Sequence, residues 1–244
     1  MSLVRVALSG GGRMGSVLTA ICAEKGITVL GKVDPEGAPR LSAIPAVETA
    51  DAVLDFSWPG GLTRLLEDAV ALKKPLVIGT TGLSAAQGDE IREAAKQIPI
   101  VWADNFSVGV TLMLRLTRQA ASVLGEDWDM ELTETHHRLK VDAPSGTAKA
   151  LLRAMNPEGE HPLLYGREGI VGKRGREIGV HSLRGGTVAG EHSVKFFGPM
   201  EELELRHRAD SREIFARGAM TAAAFAVKAA PGLYDMEDVL FGGK

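Results

Sequence analysis

Cysteine is nearly absent from this chain. Cys22 stands alone among 244 residues, which excludes an internal disulfide and any thiolate metal cluster. It falls in a stretch with helical spacing, so a small buried hydrophobe is expected there rather than a nucleophile. No apolar run approaches the roughly 20 residues that a bilayer-spanning helix needs. The chain also runs from its first residues into a strand-like stretch with no signal-peptide pattern. No membrane association is expected, and the cytoplasm is the default location. An excess of one charge is missing as well: 28 Lys and Arg against 31 Asp and Glu give a net charge of -3, which argues against nucleic acid as a partner. Repeats, low-complexity tracts and coiled-coil heptads are absent. What remains is ordinary for a soluble globular protein, with 24% charged and 45% apolar residues. The length allows one large domain or two modest ones.

The first hundred residues alternate strand-like and helix-like stretches. Leu3 to Leu8 reads as a buried strand interrupted only by Arg5. Gly10-Gly11-Gly12-Arg13-Met14-Gly15 follows and matches G-x-G-x-x-G. A helical pattern through Met14, Val17, Leu18, Ile21 and Cys22 then ends at Gly26, and a second strand over Ile27 to Val33 finishes at Asp34. A glycine string alone is a weak signal. Strand, glycine turn, helix, strand and a terminal acid 24 positions after Gly10 make up the whole context of a dinucleotide site. The glycines let backbone approach a pyrophosphate, the helix start favours its charge, and Asp34 can accept hydrogen bonds from a ribose. Gly15 is equally explained by close helix–strand packing, and Asp34 by an ordinary solvated strand end.

Further strands are expected over 51–56, 75–78 and 98–103, with helices over 62–72 and from the Ser84-Ala85-Ala86-Gln87 capping box to Gln97. Such alternation gives a parallel sheet with helices on both faces, its ligand sites beyond the carboxyl ends of the strands. The turns at Gly10, Ser57, Gly79 and Ala103 should then share one rim. Gly79, Thr80 and Asn105 offer N–H, hydroxyl and amide groups there, although each is also ordinary turn chemistry.

The pattern changes after Ser107. A helix over Val108 to Leu124 leads to the alternating run Met130-Glu131-Leu132-Thr133-Glu134, and then to Thr135-His136-His137-Arg138-Leu139-Lys140-Val141-Asp142-Ala143-Pro144-Ser145-Gly146-Thr147-Ala148. A strand end, a cationic loop and a helix N-terminus meet in this span, and all three favour an anionic ligand. If the strand continues through both histidines they point to opposite faces, so they are not a pair gripping one metal ion. The plain alternative is two ordinary polar residues at a strand end. No metal site is expected, since Cys pairs and H-E-x-x-H are both missing. Residues 156–179 are rich in Gly, Pro and charge and read as a surface excursion, with a lid as one reading. Three strand-like runs follow: 178–183, 187–197 and 203–207. The first two are joined by what looks like a hairpin turn at Arg184-Gly185-Gly186. Asp210-Ser211 then caps a helix through Val227.

These strings together resemble the dihydrodipicolinate reductases of the bacterial lysine/diaminopimelate pathway. The likeness rests on Gly12-Arg13-Met14-Gly15, Gly79-Thr80-Thr81-Gly82, Asn105-Phe106-Ser107-Val108-Gly109-Val110 and above all the His136-to-Ala148 stretch. It is supported by Ser182 to Gly186, Gly190-Glu191-His192 and Gly232 to Met236. The resemblance implies reduction of 4-hydroxy-tetrahydrodipicolinate to tetrahydrodipicolinate with NADH or NADPH. It implies a Rossmann-type doubly wound parallel sheet over 1–106, completed by 212–244. A smaller α+β substrate and oligomerisation domain with a largely antiparallel or mixed sheet would occupy 107–211, in a homotetramer. By position, His136 resembles the proton donor/acceptor and Lys140 a second proton donor, with His137, Gly146 and Thr147 as substrate contacts. Gly10, Gly11, Gly12, Arg13, Met14, Gly15, Asp34, Gly79, Thr80, Thr81, Ala103, Asp104, Asn105 and Phe106 resemble the cofactor site.

The small dicarboxylate substrate so implied suits a cationic loop beside a helix N-terminus. Like-charge repulsion from Lys140 would lower the His136 pKa, and two bound carboxylates would raise it. Two departures stand out. The glycine turn is one residue shorter than the usual G-x-x-G-R-M-G form, leaving open whether Ser9 or Gly10 leads it. Pro35 also follows Asp34 where many relatives place a basic residue. Asp34 repels a 2′-phosphate, so NADH is the expected preference, although Arg13, Lys32 and Arg40 remain available to NADPH. Rival readings are another two-domain NAD(P)-dependent amino-acid dehydrogenase, which has no need of the His136–Thr147 constellation, and a non-catalytic NAD(H)-sensing regulator.

Overall fold

The computed structural model describes residues 3–34, 40–125 and 127–242, so Pro35 lies outside the described residues. Two compact units partition the chain: Met1–Val108 with Glu213–Lys244, and Gly109–Arg212. The first carries β1 (Arg5–Ser9), α1 (Arg13–Glu24), β2 (Thr28–Val33), β3 (Ala52–Asp55), α2 (Leu62–Ala71), β4 (Leu76–Ile78), α3 (Ala85–Ala95) and β5 (Pro99–Trp102). In sequence there follow α4 (Val108–Leu124), β6 (Asp129–His136), α5 (Gly146–Met155), β7 (Leu163–Tyr165), β8 (Ile178–Arg184), β9 (Gly190–Gly198) and β10 (Glu201–Ala209). The chain ends with α6 (Glu213–Ala226), β11 (Gly232–Tyr234) and α7 (Met236–Phe241), which return to the first unit.

Strands β1, β3 and β4 are apolar at nearly every position because both faces of their sheet are covered. Ala7, Val53 and Ile78 pack against Leu62, Leu65, Leu66 and Ile91 of α2 and α3 on one face. On the other face, Val6, Leu8 and Leu54 meet Leu18, Cys22, Ala219 and Ala223 of α1 and α6. Cys22 is fully buried among them, as its helical spacing implies. Among the described residues the sheet has six strands in the order β11-β5-β4-β3-β1-β2, every pairing parallel. From β1 the chain moves to β2 on one side and then crosses to β3 on the other. The resulting crevice at the carboxyl ends of β1 and β3 is where a doubly wound sheet binds its ligand. The capping box at Ser84 is present, with Gln87 N bonded to the serine hydroxyl and the glutamine side chain returned to Ser84 N.

The second unit has a mixed sheet in the order β10-β9-β6-β8-β7. Helix α5 covers one face, Leu151, Leu152 and Met155 packing on Leu132, Val180, Val194 and Phe196, with Met113 of α4 alongside. The expected hairpin at Arg184-Gly185-Gly186 does not form. Instead β6 lies between β8 and β9, parallel to the first and antiparallel to the second. The turn bonds to the end of β6, through Gly185 N to His136 O at 2.9 Å and Arg138 N to Gly186 O at 3.2 Å. Residues 185–189 therefore cross two strand spacings, about 10 Å, rather than one. Residues 156–177 do run over the surface as expected, but they are anchored rather than free. They contain the edge strand β7, and Arg167 forks onto Glu131 at 2.8 and 3.1 Å while Arg174 bonds Asp129 and the carbonyls of Met130 and Glu177. Two of their arginines, Arg167 and Arg174, are thus paired to the sheet, while Glu158, Glu160, Glu168 and Lys173 are exposed.

Candidate functional site

In the first unit the glycine turn is shaped by close backbone approaches. Gly10 has φ of 109°, and a Cβ on it would fall 2.5 Å from Phe56 O; one on Gly15 would fall 2.1 Å from Gly10 O. No side chain fits at either place, which lets β1, α1 and the turn after β3 close up. Gly12 caps α1 without a side chain, and the first turn, Arg13-Met14-Gly15-Ser16, holds no acid. The leading N–H groups of such a helix have no acceptor from their own helix and attract an anion. These residues fit a nucleotide diphosphate on that observation.

Asp34 ends up beside the turn: a Cβ on Gly11 would come within 3.2 Å of its Oδ2. A cleft of about 440 Å³ opens next to it, lined by Ser9, Val33, Arg40, Gly61, Arg64 and Asp68. Arg40 is engaged there, its Nη1 2.8 Å from Asp68 Oδ1 and its Nη2 3.5 Å from Glu67.

The expected shared rim is drawn together by a residue the motifs did not single out. Asp55, 1% exposed at the end of β3, accepts from Ser57 Oγ and Thr80 Oγ1, both at 2.6 Å, and Thr80 Oγ1 in turn accepts from Ser57 N. Burial pushes the Asp55 carboxyl up, against these hydrogen bonds. Thr81 and Asp104 are exposed, Gly79 and Ala103 half-buried. Asn105 Oδ1 accepts from Ser107 N at 2.8 Å. Phe106 is core instead: it is 2% exposed with its ring 5.4 Å from that of Phe56, so only its main chain is left to face a ligand.

In the second unit the burial pattern of β6 alternates, placing Leu132, Glu134 and His136 on the covered face. The strand ends at His136, and His137 begins the loop. Glu134 is wholly buried. It accepts from His136 Nδ1 at 2.5 Å, from both ends of the Arg184 guanidinium at 2.8 and 2.9 Å, and from Ser145 N at 3.3 Å. Arg184 also bonds Asp142 O, and Lys140 Nζ lies 2.8 Å from Asp142 Oδ1. Both contacts tie the cationic loop down. Ser145 caps α5, its hydroxyl accepting from Ala148 N, so Gly146 and Thr147 open that helix with Thr147 half-buried. Across from His136, a Cβ on Gly190 would come within 3.0 Å of Nε2; glycine there keeps that nitrogen approachable.

Burial is the main cause holding His136 below the usual histidine pKa. Glu134 opposes it, and Lys140 and Arg184 add to it. The Lys140 effect has the expected sign, but desolvation outweighs it. Burial lifts Glu134, yet Arg184, Ser182 and His136 together keep it below the ordinary carboxylate range.

His192 of β9 completes the cluster. It is 4% exposed, its Nε2 is 3.0 Å from Ser145 Oγ, and its ring stands edge-on to His136 at 5.1 Å. Burial, then the neighbouring His136 charge, brings it down to about 4. The unfolded chain protonates it near 6.5. Between those values the unfolded state binds more protons, so folding stability declines as pH falls through that window, by up to about 1.4 kcal/mol per unit. Urea denaturation at pH 7 and pH 4.5 should show His192→Gln losing less stability than the unsubstituted protein. An equal loss would contradict a neutral buried ring.

Glu134, Arg184 and His192 thus belong to the site, although no local signal paired them. Arg184 and His192 stood only in supporting strings, 50 residues or more from their partners in β6. Among the described residues no cluster of His, Cys, Asp and Glu has the makings of a metal site, and no helix is long and apolar enough to cross a membrane.

Residues 4–106 match the family described as dihydrodipicolinate reductase, N-terminus, and residues 109–240 the family described as dihydrodipicolinate reductase, C-terminus. A 4-hydroxy-tetrahydrodipicolinate reductase of Akkermansia muciniphila is 47% identical over 234 residues, 94% of each chain. The protein of that name from Methanocorpusculum labreanum is 43% identical, covering 98% of this chain and 99% of its own. Among solved structures, dipicolinate-bound dihydrodipicolinate reductase from Paenisporosarcina sp. TG-14 superposes with a TM-score of 0.76 at 22% identity, over 98% of this chain and 100% of that one. The DAP dehydrogenase of C. glutamicum shares the fold at a TM-score of 0.57 and 11% identity, over 97% of this chain and 93% of its own.

Proposed function

The chain belongs to the dihydrodipicolinate reductase family, and from that premise we propose that it reduces 4-hydroxy-tetrahydrodipicolinate to tetrahydrodipicolinate with a nicotinamide cofactor. The observation that carries this reading is His136: buried, held through Nδ1 by Glu134, with Nε2 left approachable beside Lys140. When bound, the cofactor supplies a hydride. Residues 10–15, Asp34, Gly79, Thr80, Thr81 and the main chain of 103–106 would hold it, with the N-terminus of α1 at its diphosphate.

The second unit would bind the substrate. Its two carboxylates suit His137, Lys140 and the N–H groups of Gly146 and Thr147. The 4-hydroxyl leaves as water, which puts a carbon–carbon double bond in conjugation with the imine. Hydride addition to that double bond leaves electron density that one proton quenches, and His136 would give that proton from Nε2. Lys140 is a second donor in the same proposal. A homotetramer and a cytoplasmic location complete it, on the family resemblance alone.

A coupled assay tests the whole reading: substrate generated from pyruvate and aspartate semialdehyde, with NADH or NADPH absorbance followed. Absence of turnover with both cofactors would overturn it. NADH should give the larger kcat/KM, because Asp34 repels a 2′-phosphate and Arg40 is already engaged by Asp68; a clear NADPH preference would reverse that assignment. Lys140→Ala should raise the substrate KM about 10- to 100-fold, the worth of one charge-assisted bond. A loss confined to cofactor binding would contradict its placement.

A further inference from the structure

The proton chemistry assigned to His136 leaves a question about its other nitrogen. Imidazolium carries two N–H groups, and only one should be delivered. Glu134 reaches Nδ1 at 2.5 Å from the same face of β6, two residues away. A lone carboxylate at 0% exposure would itself take up a proton and become useless as an acceptor. Here it does not stand alone. Arg184 grips both carboxylate oxygens from β8, Ser145 N approaches Oε1, and the carboxyl stays below the ordinary range. Both Nη groups of the guanidinium are fully engaged in this way, their remaining hydrogens going to Leu183 O and Asp142 O.

We propose that Glu134 is the positioning residue of this site: with Arg184 fixing its carboxylate, it keeps the Nδ1–H of His136 in place and makes Nε2 the nitrogen that exchanges a proton with the dicarboxylate substrate. This rests on the reductase reading above. The bond between Nδ1 and its proton persists throughout; the Nε2–H bond breaks as the proton moves to the reduced substrate, and the neutral ring left behind is already in the Nδ1–H tautomer that Glu134 accepts from. Four charged or titratable groups face the ring: Glu134 from its own strand, Arg184 from β8, His192 from β9 and Lys140 from the loop. Of these, Glu134 alone favours the protonated ring.

Two measurements test the proposal. In the first, ¹⁵N-histidine spectra of the unsubstituted protein at pH 8, assigned by the signal lost in His136→Gln, should show a protonated Nδ1 and a bare Nε2; the opposite tautomer overturns the proposal. This readout needs no substrate, so it stands or falls separately from the reductase reading. In the second, Glu134→Gln should move the alkaline limb of kcat/KM to lower pH by about 1–3 units, the reach of one opposite charge at this distance. The rate deficit should then shrink as pH falls and the ring regains its proton. A variant slowed equally at every pH would show a merely structural role and overturn it.

Discussion

His136→Gln is expected to lower kcat by at least about 10²-fold while leaving NADH affinity within about twofold of the unsubstituted protein. General acid catalysis commonly contributes 10²- to 10⁴-fold, and glutamine keeps the bulk and a hydrogen-bonding head but has no proton to give near neutral pH. The cradle assigned to the cofactor is made from the glycine turn, the N-terminus of α1 and the rim gathered by Asp55, all within the first unit. Nothing in that construction depends on the imidazole. Steady-state kinetics gives kcat, and quenching of Trp fluorescence on NADH addition gives the dissociation constant.

The pH profile sharpens the expectation. Burial holds His136 below the usual histidine value in the free protein. Reaction through the protonated ring then declines as pH rises through that lowered value, and this limb appears in kcat/KM, which reports the free enzyme. Two bound carboxylates raise the value, so the same limb in kcat, which reports the complex, should lie at higher pH. In His136→Gln both limbs should vanish. Wild-type turnover in the variant would end the assignment of His136 as proton donor.

Much of this was legible because the chemistry is written locally. The glycine turn needs small residues at fixed intervals, and the approaches of 2.5 and 2.1 Å at Gly10 and Gly15 are the reason. Helix α4 begins and ends at the expected Val108 and Leu124, since seventeen residues of amphipathic spacing leave little ambiguity. The His136-to-Thr147 stretch drew notice through its density of cations beside a helix start, and the structure places a strand end, loop and N-cap there. Strand order is different. Alternation along β6 tells which face is buried but not which neighbour it meets, and an inviting turn at Arg184-Gly185-Gly186 suggested the wrong one. The same nonlocality hid the Glu134–Arg184 pair, which is joined only because β6 and β8 lie side by side with residues 50 apart in sequence. Strand β7 and helix α7 were missed for a simpler reason: three and six residues are too few to set up a period.

Arg184→Met should destabilise the second unit by about 3–5 kcal/mol, because it removes one partner of a buried ion pair and leaves the other behind. Methionine replaces much of the lost volume, so the deficit comes chiefly from charge. Glu134 would be left with uncharged or partly charged partners, Ser182, His136 Nδ1 and the long contact from Ser145 N, at 0% exposure. Freed of the guanidinium, its pKa should rise, since burial is already the largest influence on it and pushes upward. A carboxyl raised in the folded state favours the protonated form there, so the penalty is largest above that raised value and shrinks as pH falls toward the unfolded value of about 4.3. Urea titrations of the variant at pH 8 and pH 5 should therefore show a smaller deficit at the lower pH. Adding Glu134→Gln should recover at least about 1 kcal/mol at pH 8, because the second substitution discharges the group that the first one stranded. A double variant no more stable than Arg184→Met alone would mean that the arginine acts through its bonds to Leu183 and Asp142 rather than through Glu134. The clamp on His136 would then lose its physical basis.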